Sequence, residues 1–280
     1  MKKMNCNPNV FNKSINKDTC YTDTALIQIK NAYNKNHPEN RIKSTLPSTV
    51  FNELKTKLSK CNSEDCWLEE LSPKDKKYLD QHIFAPYQPT SWKKNPREWL
   101  SNIDILNVLK QYEETFSNFK FIGPTSIDFD TVINDTCVSE ELCKIQIKKF
   151  INSGINKIGI IFNLDKHDEG GSHWVSMFIN IQEGIIFYFD SAANDIPNEI
   201  QKLVNVILKQ SKYLKIPMKY YTNLPRQHQQ GNSECGMYSL YFIITMLDDI
   251  QSMKSKIDIF KKKNISDKFV ESFRSKYFNS

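Results

Sequence analysis

Residues 157–190 read as short, nearly continuous apolar runs separated by polar turns. Residues 157–164 predict a buried strand. His173-Trp174-Val175-Ser176-Met177-Phe178-Ile179 and Ile185-Ile186-Phe187-Tyr188-Phe189-Asp190 predict two more, and the short link at 180–184 predicts that they form a hairpin. A helix over about 197–209 and a strand around 218–222 follow. From Cys235 onward Met237, Leu240, Tyr241, Ile244 and Leu247 mark one helical face, while Tyr238, Phe242 and Ile243 fill the others. A helix apolar all round is a buried central helix. Upstream, residues 103–116 carry Ile105, Leu106, Leu109, Tyr112 and Phe116 at amphipathic helical spacing. Residues 48–60 do the same with Val50, Phe51, Leu54 and Leu58, and Ser72-Pro73 reads as an N-cap followed by proline at the first helical position. Proline-rich punctuation at Ala85-Pro86-Tyr87-Gln88-Pro89 and Asn95-Pro96 separates a helical arm, residues 1–85, from residues 86–280. The second part is expected to be an α+β domain with a mixed, mostly antiparallel sheet and a buried helix that begins at a cysteine.

The composition narrows this picture. A chain of 280 residues with 39% hydrophobic and 12% aromatic residues has the material for a folded core. Its longest apolar runs are too short to cross a bilayer, and the N-terminus lacks the apolar run of a signal peptide, so a soluble chain without membrane insertion is expected. Seven cysteines, an odd number spread along the chain, suit a reducing compartment better than a disulfide framework. A net charge of +6 is modest and compatible with weak nucleic-acid contact. The Lys261-Lys262-Lys263 run reads as a solvated face. Cys61, Cys66 and His82 could be taken as zinc ligands, but their spacing is loose and no fourth ligand is evident.

Four features concern chemistry. Cys235, in Gly231-Asn232-Ser233-Glu234-Cys235-Gly236, sits where a loop becomes the buried helix. A thiol there meets the positive end of the helix dipole and unpaired N–H groups, which favour the thiolate; the alternative is an inert core cysteine. Gly236 would let a substrate backbone approach. His173 opens a strand after the loop Asp168-Glu169-Gly170-Gly171-Ser172, and Asp190 closes the next strand. In a hairpin the start of one strand lies beside the end of its partner, so the two should be neighbours. The carboxylate would accept the Nδ1–H of the imidazole and leave Nε2 for the thiol. Gln227, Gln229 and Gln230 precede Cys235, and a side-chain amide there could join the Cys235 N–H as a donor to a developing oxyanion.

The order His…Asp…Gln…Cys, with His-Trp opening a strand and Cys-Gly opening a helix, resembles the adenain and ubiquitin-like-protein-processing cysteine proteases. Papain-like enzymes keep a similar geometry in a different chain order. Glutamine six residues before cysteine, Gln229 to Cys235, is similar to this family's oxyanion-hole signature, with Gln230 or Asn232 as alternative donors. Trp99-Leu100-Ser101-Asn102 resembles the tryptophan motif at the front of the same fold. The likeness extends to the polyprotein-processing proteases of African swine fever virus and other large DNA viruses, although Asp190 stands where the swine fever enzyme has asparagine. The resemblance implies a papain-like α+β core in residues 86–280, with His173, Asp190, Gln229 and Cys235 as catalytic residues. It also implies that Trp99 and Trp174 flank a narrow channel for a Gly-Gly substrate; aromatic core packing is the alternative for Trp99. It implies no metal and no cofactor. The expected activity is cleavage of a viral structural polyprotein after Gly-Gly during virion maturation, in the host cytoplasm at the viral factory and in the virion. Removal of ubiquitin-like modifiers is the alternative activity, and an inactive nucleic-acid- or capsid-binding module the alternative class.

Overall fold

The computed structural model describes residues 2–10 and 19–280. The chain divides into two compact units, one running to Gln88 and taking in Ser275–Ser280, the other Pro89–Arg274.

In the first unit three helices, α1 (Asp23–Asn36), α2 (Pro47–Lys57) and α3 (Pro73–Ile83), surround an aromatic core. Ser72 caps α3 by accepting from the Asp75 N–H, and Pro73 occupies the first helical position, as the Ser-Pro pair predicts. Tyr21, Trp67 and Phe84 pack on one another beneath them, with the Tyr21 and Trp67 ring centroids 5.5 Å apart. The C-terminal residues are part of this unit. Asn279 donates to the carbonyls of Asn5 and Ala85 and accepts from the Asn5 N–H at 2.7 Å.

The first α-helix of the second unit is α4 (Asn102–Thr115), started by a reciprocal capping box between Ser101 and Asp104. Then come β1 (Phe119–Ser126), a small hairpin of β2 (Val132–Ile133) and β3 (Thr136–Cys137), and short helices α5 (Glu140–Cys143) and α6 (Ile147–Asn152). The predicted strands follow as β4 (Lys157–Asn163), β5 (Trp174–Asn180) and β6 (Ile185–Phe189). Helix α7 (Asn198–Tyr213), β7 (Lys219–Thr222), α8 (Cys235–Leu247), α9 (Met253–Lys262) and α10 (Asp267–Glu271) complete it.

The sheet order is β1-β4-β5-β6-β7. The antiparallel expectation holds for the three central strands, while both outer strands join in parallel. On one face Ile158, Ile160, Val175, Met177, Ile186 and Tyr188 pack with Ile200, Leu203, Val204 and Ile207 of α7. On the other, Phe187 and Phe189 meet Phe242 of α8 at ring-centroid distances of 5.2 and 4.8 Å. Gly159 permits this approach, since a Cβ there would lie 3.0 Å from the Ile243 side chain. Cover on both faces explains why the central strands read as continuous apolar runs instead of alternating ones.

Six of the seven cysteines are paired, as Cys6–Cys20, Cys61–Cys66 and Cys137–Cys143, and Cys235 is free. This overturns the expectation of free thiols. The pairs are local in sequence, and their Cα separations of 5.2 to 6.3 Å fall in the disulfide range. It also removes the zinc alternative, because Cys61 and Cys66 are bonded to each other. Among the described residues no helix is long and apolar enough to cross a membrane.

Candidate active site

Cys235 is the first residue of α8, where backbone N–H groups lack intrahelical partners, and it is only 2% exposed. His173 immediately precedes β5. The β5–β6 register pairs Ser176 with Phe189; continued by one step, it sets Asp190 opposite Val175, on the same face as His173. The hairpin thus brings histidine and aspartate together across seventeen residues, with His173 Nε2 2.6 Å from Asp190 Oδ1.

This contact corrects one expectation, because the carboxylate meets Nε2 and not Nδ1. Asp190 is anchored at the open end of the hairpin, where the far edge of the ring reaches it. Its Oδ1 also accepts from the Ala192 N–H, and its Oδ2 accepts from both the backbone and side-chain amides of Asn194. With Nε2 taken, Nδ1 is left for the Cys235 sulfur, which hydrogen-bonds the imidazole. Burial works against the charged ring, but hydrogen bonds and charge from Asp190 and Cys235 outweigh it and push the His173 pKa up to about 10. For Asp190 burial opposes ionisation, and contacts with His173 and the Ala192 and Asn194 amides more than offset it, holding the carboxyl below its usual range. His173 therefore carries a proton on both nitrogens at neutral pH.

Gln229 is buried and held at both ends of its amide. The Gly231 carbonyl can only accept, so it faces Nε2 (2.9 Å), and the Ser191 hydroxyl donates to Oε1 (2.7 Å). One Nε2 hydrogen is engaged by Gly231. Gln227, Gln230 and Asn232 are exposed. Gly236 does not face a substrate path; a Cβ there would lie 2.9 Å from Leu100 Cβ, so the glycine admits Leu100 against the start of α8. Leu100 also accepts the indole N–H of Trp174 at 3.0 Å through its carbonyl.

Trp174 is buried, whereas Trp99 is 44% exposed. Both line a cavity of about 620 Å³ that also includes Gly171, Ser172 and His173. Trp99 borders a second cavity of about 760 Å³, formed with Arg97, Gly231–Glu234, Asp267, Lys268 and Glu271. It stands as a ridge between the two.

The chain is 31% identical to a protein of Acanthamoeba polyphaga mimivirus named as thiol protease R355, over 98% of this chain and 93% of that one. It belongs to the Ulp1 family of cysteine proteases. The description "Ulp1 protease family, C-terminal catalytic domain" matches residues 148–280. A cysteine protease of African swine fever virus (strain Badajoz 1971 Vero-adapted) is 27% identical over 72% of this chain and 78% of its own length. A crystal structure of the African swine fever virus protease shares the fold, with a TM-score of 0.67 over 98% of this chain and 95% of that one, at 22% identity.

In this Ulp1-family protease several groups around the site carry little signal in the sequence. Ser191 and His228 adjoin Asp190 and Gln229, and adjacency was the available signal. Asn223 brackets Asp190, accepting its N–H at 3.1 Å and donating to its carbonyl at 2.7 Å. Glu234, just before Cys235, is buried against Arg274, whose Nη2 lies 3.3 Å from Glu234 Oε2 and donates to the Glu98 carbonyl at 2.9 Å. Burial pushes the Glu234 carboxyl up, and Arg274 and Ser233 partly counter it. Arg274 lies 39 residues beyond Cys235, and no local pattern marks it.

Proposed function

We propose that this cysteine protease is an endopeptidase that cuts a viral structural polyprotein after Gly-Gly during virion maturation, with Cys235 as nucleophile. In that reaction the Cys235 sulfur attacks the scissile carbonyl carbon, and the carbonyl π electrons move to oxygen. The oxyanion is received by the Gln229 side-chain amide and the unpaired N–H of Cys235. Collapse breaks the C–N bond, and His173 gives its Nδ1 proton to the departing amine, leaving a thioester. A water then loses a proton to Nδ1, attacks the thioester and releases the acid, and the sulfur leaves as thiolate. Asp190 orients the ring and stabilises its charge through Nε2.

The observation that carries the Gly-Gly reading is the cavity beside His173 shared by Trp99 and Trp174, with Trp174 immobilised by its bond to Leu100. Closed over a bound substrate, two indoles would exclude side chains next to the scissile bond. The test is a peptide panel with Gly-Gly, Ala-Gly and Gly-Ala before the cut, assayed with wild type, with Cys235→Ala and after iodoacetamide. Cleavage confined to Gly-Gly and absent in the mutant is expected; equal cleavage of the alanine peptides would sink the specificity. A second reading, removal of a ubiquitin-like modifier, is favoured by African swine fever virus relatives named SUMO-1 cysteine protease. Whole-modifier fusions cut much faster than short peptides would support it. The proposed setting is the host cytoplasm at sites of assembly and the virion, which immunolabelling of infected cells and purified particles would test.

A further inference from the structure

The loop that carries Gln229 is fastened on both sides to a segment 30 or more residues further along the chain. On one side, His228 is fully buried, its Nε2 lying 2.8 Å from the Phe260 carbonyl and its Nδ1 accepting the Ile265 N–H. Those partners call for a neutral ring with the proton on Nε2, and burial lowers the His228 pKa accordingly. On the other side, Asp267 at the start of α10 accepts the Gly231 N–H at 2.8 Å and the Gln230 N–H at 3.2 Å. Its Oδ1 also lies 2.9 Å from the hydroxyl of Tyr238, which is on α8 one turn beyond Cys235. Gly231 is the residue whose carbonyl holds Gln229 Nε2. A Cβ at Gly231 would come within 3.3 Å of Asp267 Oδ2, so the approach is close.

We propose that Asp267 is a positioning residue for the oxyanion donor, acting through the Gly231 peptide to aim the Gln229 amide. This inference rests on the oxyanion role given to Gln229 above. The path is continuous. The carboxylate fixes the Gly231 N–H, the Gly231 carbonyl fixes Nε2, and the bond to Tyr238 refers the assembly to the helix that bears the nucleophile. A charged acceptor on two successive N–H groups gives stronger, shorter hydrogen bonds than solvent would. It leaves the His173–Asp190–Cys235 contacts untouched, because Asp267 bonds to none of those three.

The test uses the full chain and a Gly-Gly peptide, with kcat, KM and the rate of Cys235 alkylation by iodoacetamide measured for each variant. Asp267→Ala is expected to lower kcat about tenfold with KM and the alkylation rate within about twofold of wild type. Asp267→Asn, which keeps an oxygen to accept the Gly231 N–H, should recover most of the loss. In a Gln229→Ala background, Asp267→Ala should add almost nothing, since residues acting as one unit are non-additive. Independent losses in the double variant, or an alkylation rate that falls together with kcat, would overturn the proposal in favour of a general effect on the fold. Unchanged kcat in Asp267→Ala alongside reduced kcat in Gln229→Ala would overturn it while sparing the oxyanion reading. If Gln229→Ala itself leaves kcat unchanged, the oxyanion reading fails and this proposal fails with it.

Discussion

Two histidines six residues apart line one cavity, and each is paired with an aspartate. His173 meets Asp190 at 2.6 Å and His167 meets Asp128 at 2.7 Å. By distance alone they are equivalent, and the His167 pKa is also raised, chiefly by its bond to Asp128. They differ in surroundings. The His167 side chain is 39% exposed and that of His173 18%. Asp128 is a loop acceptor that also takes the His167 backbone N–H, so that pair ties a turn together. Asp190 is buried among amide donors, and its histidine faces a thiol. The contrast teaches that a carboxylate beside an imidazole is a structural commonplace, and that the third partner and its burial make a site of it.

The sharpest way to break the comparison is to delete each histidine. His173→Ala, like Cys235→Ala, is expected to lower kcat/KM by about 10⁴-fold or more, whereas a loss of less than tenfold would remove His173 from the mechanism. Asp190→Ala should cost about a hundredfold in kcat and Asp190→Asn about tenfold. The amide keeps an acceptor for Nε2–H but turns an NH₂ toward the two Asn194 donors.

The pH profile sharpens the contrast further. With the His173 pKa at about 10, activity should persist through neutral pH and fall as the ring loses its proton near that value; in Asp190→Asn the alkaline limb should move toward neutrality. The linkage to stability has two signs. The folded pKa of His173 lies above its ordinary 6.5, so its contribution is full below 6.5 and is lost as pH rises through about 10. The folded pKa of Asp190 lies below its ordinary 3.8, so its contribution is present above 3.8 and is lost as pH falls through the depressed value. Urea denaturation midpoints across pH would check both arms. The smallest effect belongs to the other pair, for which His167→Ala and Asp128→Asn should leave kcat within about twofold of wild type. A hundredfold loss there would erase the distinction.

Much of the catalytic unit was legible because its hydrophobic runs are long and its turns short. The three central strands, α7, β7 and the start of α8 at Cys235 all lie within a few residues of the pattern read from the chain. β1 was not read. Its middle, Gly123-Pro124, has the residues of a break, and its pairing with β4 shifts register between Ile122 and Thr125. Parallel pairing to a strand more than thirty residues away also leaves no hairpin signal. At the site, the hairpin argument found the partnership of His173 and Asp190 but not which nitrogen is used, since ring orientation follows from the carboxylate's other bonds. An odd cysteine count is no signature of free thiols. Three local pairs plus one free thiol produce the same number. Asp267 and Arg274 are invisible in the sequence because their contacts with Gly231 and Glu234 span 36 and 40 residues without periodicity.

The return of Asn279 to Asn5, Ala85 and Pro86 has a consequence for the order in which the molecule is made. A ribosome delivers residues 1–88 first, yet their unit lacks its last segment until residues 275–280 have been synthesised. Residues 89–274, which hold every group of the candidate site, come between the two in the chain. The first unit therefore closes only after all of residues 89–274 have been made, so loss of residues 275–280 would leave it open while sparing every group of the candidate site.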